Sequence, residues 1–229
     1  MNIFKCICRS TAGIFILLTA PCSGAAEGHF QTGVEAFKNR DYQSAITSFE
    51  KALEEDPDNI NARGYKGEAY LWSGKYNKAI KTLERLIELD PGNTEARLGI
   101  GIGYFGLARY EEAIEELNKV TEDEPDNVLA WGYKGNACFS LENFEEAIEA
   151  FGNAAELDPG STGDWLGKGA ACLMLERYED AVKAFEKVTD LEPENAEAWY
   201  FKGAAYHKLG QTQESCEAYI RSQALGYEE

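Results

Sequence analysis

The chain has 229 residues, 44% of them hydrophobic and 27% charged, an ordinary composition for a globular protein. Its 40 acidic residues outnumber 22 basic ones, for a formal net charge of -18. A surface of that sign repels phosphate backbones and anionic lipid heads, which excludes nucleic-acid binding through a basic face and favours basic or uncharged partners.

Residues 1–25 differ from all that follows. MNIFKCICR carries Lys5 and Arg9 with no acid, Ser10 to Ala20 is an uncharged and largely apolar run, and PCSGAA supplies a turn and small residues. This is the three-part layout of an export signal. The run is too short to span a bilayer comfortably, which takes about 20 apolar residues. Ser23 and Ala25 fill the small positions of a cleavage site, so cleavage is expected after Ala25 or Ala26. Two alternatives stay open: a lipid on Cys22, which Pro21 directly before it fits poorly, and an uncleaved membrane anchor. The expected location is exported (secreted, periplasmic or cell-surface), with any membrane contact confined to this segment.

From residue 26 onward the chain repeats. Pro57, Pro91, Pro125, Pro159 and Pro193 stand 34 residues apart and mark six repeats, 26–59, 60–93, 94–127, 128–161, 162–195 and 196–229. Position 8 of each is glycine: Gly33, Gly67, Gly101, Gly135, Gly169 and Gly203. Position 4 is Trp131, Trp165 and Trp199 in the last three. In the first five, position 17 is Tyr or Phe and position 20 is Ala, from Tyr42 and Ala45 to Tyr178 and Ala181. Positions 4, 8 and 11 fall at helical spacing as one apolar stripe; positions 17, 20, 24 and 27 form a second. Each repeat is therefore predicted to be two helices. The glycine and alanine are small where the helices approach, and the proline ends the second helix. Asn59, Asn93, Asn127, Ser161 and Asn195 are placed to cap the next first helix. One such hairpin cannot bury its own stripes, so neighbours must stack. No strand signal occurs.

The terminal repeats depart from this pattern. His29 and Ala36 stand at positions 4 and 11 of the first, where bulky aromatics are usual. In the last, Thr212, Ser215, Ser222 and Tyr227 replace the aromatic, the alanine, a small apolar residue and the proline. Polar substitutions at the ends predict caps that let solvent meet the stack.

These positions resemble the tetratricopeptide repeat, whose pattern is W-x2-L-G-x2-Y, then A-x3-F, then P at the same period. The match covers about nine-tenths of the chain. The resemblance implies an all-α fold, a right-handed α-solenoid of six 34-residue helix-turn-helix repeats over 26–229. It also implies a non-catalytic scaffold that binds a protein or peptide in a concave groove; the alternative is a module that self-associates through its end repeats into a homo-oligomer.

Positions 2, 5, 9, 12 and 13 of the first helices lie to one side of the packing stripe and would line that groove. Candidate residues are Leu129 at position 2; Leu98, Leu166 and Tyr200 at position 5; and Asn136 at position 9. Phe105, Phe139, Leu173 and His207 follow at position 12, with Trp72 and Met174 at position 13. The strip is uncharged in the fourth and fifth repeats and suits a hydrophobic segment. Phe30 and Val34 stand where the subtype that grips C-terminal carboxylates has Lys and Asn, so tail binding of that kind is not implied.

Other conspicuous residues have structural explanations. Cys138 and Cys172 share position 11, and packed helices roughly 8–10 Å apart hold such residues beyond disulfide reach, so core thiols are expected. Lys66, Lys134, Lys168 and Lys202 share position 7 and predict a ladder of ion pairs to carboxylates on a neighbouring helix. The acids of EEAIEEL and EEAIEAF fall outside the packing stripe. GIGIGYFG lies inside a first helix and follows no strand, unlike a phosphate loop. With no CxxC pair and His29 and His207 far apart, no metal, cofactor or catalytic group is expected.

Overall fold

A computed structural model of the chain describes residues 24–228; residues 1–23 of the expected export segment, with Lys5, Arg9 and Cys22, lie outside them, and its last two, Gly24 and Ala25, begin the first helix. The described residues hold twelve helices and no strand, in two compact units that divide after Pro125. The N-terminal half contains α1 (Gly24–Lys38), α2 (Tyr42–Glu55), α3 (Ile60–Trp72), α4 (Tyr76–Leu89), α5 (Thr94–Gly106) and α6 (Tyr110–Asp123). The C-terminal half contains α7 (Val128–Ser140), α8 (Phe144–Leu157), α9 (Thr162–Met174), α10 (Tyr178–Leu191), α11 (Ala196–Lys208) and α12 (Thr212–Ala224). Each odd–even pair is one predicted repeat. Within each half three hairpins stack: the second helix of a repeat packs on the first helix of the next, and successive first helices touch. No described helix is long and apolar enough to cross a membrane.

The helix ends are set by local chemistry. The Oδ1 atoms of Asn59, Asn93, Asn127 and Asn195 each accept from the backbone N–H three residues on, at 2.9–3.0 Å. Such a cap contributes about 1 kcal/mol. Ser161 does otherwise: its hydroxyl donates to Asp164, 2.5 Å away. At the tip of every hairpin, position 15 has a positive φ. It is glycine at Gly74 and Gly210 but Arg40, Ala108, Glu142 and Glu176 elsewhere. The following N–H then donates back five residues, as from Lys75 to the Tyr70 carbonyl at 2.8 Å, which closes the first helix.

The glycine at position 8 is the seat for the side chain at position 24 of the same repeat. A Cβ at Gly135 would lie 2.7 Å from the Phe151 ring, and one at Gly169 2.6 Å from Phe185. The same side chain then reaches position 6 of the next repeat: Phe49 stacks on Tyr65 at 5.7 Å, Phe185 on Phe201 at 5.9 Å, and Phe151 abuts Gly167. One residue thus joins the hairpin to itself and to its neighbour, and Phe49, Phe151 and Phe185 are fully buried for that reason.

Position 4 has a second use. The side-chain N–H groups of Arg97, Trp165 and Trp199 donate to the carbonyls of Pro91, Pro159 and Pro193 at 2.9, 3.3 and 3.0 Å, and Arg63 does the same to Pro57. Arginine and tryptophan are interchangeable here because both carry a donor on a long flat side chain. The last repeat departs from expectation. Ser215 and Ser222 do not meet solvent: both are buried, with their hydroxyls donating to the carbonyls of Gly203 and Tyr219.

Candidate functional site

The first-helix strip is narrower than its sequence pattern. Leu98 and Leu166 at position 5 are buried core residues, and Asn136 at position 9 is buried with its amide donating to the Gly132 carbonyl at 2.9 Å. Adjacent first helices are in contact, so the arc at positions 5 and 9 is consumed by packing. Leu129, Phe105, Phe139, Leu173 and Tyr200 are half-buried. Phe105 and Phe139 lean on the first residue of their own second helices, Tyr110 and Phe144, at 5.5 and 5.3 Å. Position 13 is the outermost: Trp72 is 47% exposed although stacked on Tyr42, and Met174 is 52% exposed. His207 is exposed as well.

The position-7 lysines form a partial ladder. Lys66 reaches Glu50 at 3.1 Å and Lys202 reaches Glu186 at 3.6 Å. Both acids occupy position 25 of the preceding repeat, and each also accepts from the tyrosine at position 11, Tyr70 at 3.0 Å and Tyr206 at 3.1 Å. Burial first, and then these carboxylates, push both phenols up to about 12. Lys168 meets Gly152 in that register instead of an acid, and its ammonium stands where a side chain would project. It lies over the Trp165 ring at 5.3 Å, as Lys134 lies over Trp131 at 4.8 Å and Lys202 over Trp199 at 5.0 Å. The stems cover apolar surface as expected; the acid is replaced by an aromatic face.

Cys138 and Cys172 are buried free thiols. Burial raises both, Cys138 to about 11, which makes them poor nucleophiles. Glu68, at position 9 of the second repeat, is raised to about 7 by burial and by the nearby Glu95 carboxylate. Among the described residues no three His, Cys, Asp or Glu side chains gather as a metal site. A cleft of about 450 Å³ opens on the last hairpin between Tyr200, His207, Tyr219, Ser222, Gln223 and Tyr227. Tyr227 stacks on Tyr200 within it, ring centres 4.4 Å apart. The sequence pattern puts Tyr200 and His207 on the first-helix strip and gives no sign of the cleft, because Tyr227 reads only as a lost proline.

Stacked two-helix repeats that offer long side-chain strips define a class of helical-repeat scaffolds. Models described as tetratricopeptide repeat match residues 36–89, 73–136, 128–161 and 196–225, and one described as TPR repeat matches 169–210. The chain belongs to the tetratricopeptide repeat family, whose members serve as protein-interaction scaffolds. Among solved structures it is similar to MamA 41-end from Desulfovibrio magneticus RS-1, with TM-score 0.71, 20% identity, and coverage of 76% of this chain and 98% of that one. It is similar also to MamA AMB-1, with TM-score 0.67, 22% identity and coverage of 74% and 93%. MamA MSR-1 follows with TM-score 0.63, 22% identity and coverage of 70% and 92%. At these identities the likeness is one of fold. No curated protein is matched by the sequence.

Proposed function

We propose that this tetratricopeptide scaffold is exported and binds protein segments, without catalysis, along the position-12 and position-13 strips that the first helices of each half present. The observation that carries the reading is the exposure of two large apolar side chains, Trp72 and Met174, at the same position of different repeats. One residue before that position stand Phe105 in the N-terminal half and Phe139 and Leu173 in the C-terminal half, each supplying apolar floor to the strip of its own half. A strip of that composition gains about 25 cal/mol per Å² of apolar area covered, so an uncharged or amphipathic segment suits it better than an acidic one. The export expectation rests on the basic start and apolar run of residues 1–25.

Because Trp72 and Met174 are exposed, charging them tests binding without emptying the core. Trp72→Glu and Met174→Glu are expected to keep the helical circular dichroism and to lose, by about tenfold or more in affinity, the partner that the wild-type array retains from its native extract. Retention of the same partner by both variants would sink the groove reading. Mass analysis of the mature N-terminus tests export: a chain beginning at Met1 would oppose cleavage.

A further inference from the structure

Within each half, a first helix is received by three positions of the preceding second helix. Position 21 supplies a buried aliphatic, as in Ile46, Ile80, Ile148 and Val182. Position 24 supplies the side chain that meets position 6, as Phe185 meets Phe201. At two of these joints position 25 supplies a carboxylate that takes Lys and Tyr from positions 7 and 11: Glu50 takes Lys66 and Tyr70, and Glu186 takes Lys202 and Tyr206, whereas Gly152 holds that position in α8.

The same three positions of α12 are Cys216, Tyr219 and Ile220, and all are uncovered to some degree. Cys216 is exposed, Tyr219 is half-buried where its counterparts Phe49 and Phe185 are fully buried, and Ile220 is 66% exposed. At position 25 the carboxylate has become an isoleucine. The cleft bounded by Tyr200, Tyr219 and Tyr227 opens on this hairpin.

The first helix of another copy is a poor occupant. Position 10 is buried Ala or Gly in every later repeat, Ala69, Gly103, Ala137, Ala171 and Ala205, but is the exposed Glu35 in α1. Gln31 and Thr32, at positions 6 and 7, are exposed too. Pressing α1 onto a preceding helix would bury that carboxylate without a partner, which desolvation opposes.

We propose that the outer face of α11 and α12 docks an amphipathic helix of another protein, seated as the first helix of a following repeat would be. Continuity with the α10–α11 joint fixes the chemistry of that helix. It carries apolar side chains at the two places, four residues apart, where Lys202 and Tyr206 stand in α11, because Ile220 cannot accept from an ammonium or a phenol. Small residues stand where the buried Ala198 and Ala205 stand in α11. This surface is separate from the position-13 strip, so Trp72→Glu and Met174→Glu leave it intact.

Two helix-stapled peptides built on residues 195–210 test the assignment: one unaltered, the other with Lys202→Leu and Tyr206→Leu. The readout on the full chain is the alkylation rate of Cys216, followed by mass spectrometry; Cys138 and Cys172 are buried. The apolar peptide at saturation is expected to slow alkylation about tenfold, and the unaltered peptide to have little effect. Ile220→Glu is expected to reverse that preference by recreating the acid of position 25. Ile220→Ser, which adds no charge, is expected to lose the apolar peptide. Absence of protection by either peptide, or an unchanged preference in Ile220→Glu, would overturn the proposal. So would self-association of the peptide-free chain in sedimentation that Ile220→Glu abolishes, since the occupant would then be a second copy.

Discussion

Glu68 lies among neighbours that disfavour its charge, and its pKa stands at about 7 against an ordinary 4.5 because of burial and the Glu95 carboxylate. Between those two values the folded chain holds a proton that the unfolded chain has released. Stability contributed by this group is therefore full below about pH 4.5, falls as pH rises, and is gone above about pH 7. A shift of that size corresponds to roughly 3–4 kcal/mol. Glu68→Gln is expected to raise the Tm at pH 8 and leave it nearly unchanged at pH 4, as thermal melts at the two pH values will report. An equal gain at both values would show that its ionisation is not what costs stability. Asp164 is raised by burial in the same direction, against the lowering influence of its Ser161 hydrogen bond. The position-7 lysines teach the same lesson about environment. Lys66 and Lys168 look alike in the chain, yet one meets Glu50 and the other Gly152. The difference is written 16 residues upstream, at one position of the preceding repeat, and becomes visible only once that position is known to face position 7.

At the level of the helical hairpin, the turn at position 15 demands a left-handed residue in all six repeats, and only two have glycine. A side chain in that conformation costs roughly 1 kcal/mol or more, partly offset by the greater freedom glycine has when unfolded. Ala108→Gly is therefore expected to stabilise the chain by about 0.5–1 kcal/mol, measurable as a shift of the denaturation midpoint with unchanged slope. A loss of stability would mean that Ala108 makes contacts worth more than its strain. The hairpins themselves were legible in the sequence. Proline at the end of each second helix, asparagine before each first helix, and glycine opposite a bulky position 24 all act within or next to one repeat. The joints between hairpins were less legible, because a helical wheel separates faces without saying which neighbour covers each. Such a wheel puts Leu98 and Leu166 on the binding strip, yet both are buried where successive first helices meet. Ser215 and Ser222 were read as solvated for their polarity, yet each finds a carbonyl one turn or one helix away.

Among the described residues neither half is built around a central core. In each half, helices touch the next helix in the chain, first helices touch the following first helix, and nothing more distant is in contact. Fold class follows from such local rules, which is why the period, the two helical stripes within it and the family resemblance they carry are enough to predict it. The binding surfaces do not follow: Trp72, Met174 and Ile220 are distinguished by what fails to cover them, and absence of a neighbour leaves no mark on a periodic pattern. The same neighbour-only connectivity has a mechanical consequence. With no strand clamp or long-range tie among the described residues, each hairpin bears a pulling force alone. Held by its two ends in an optical trap, the chain is expected to lengthen in successive steps rather than one rupture. Each step would release one 34-residue repeat, about 11–12 nm of extended chain, and would begin at whichever end is less well covered. A helix docked on α12 would then act as a latch, raising the force of the step that frees the last repeat.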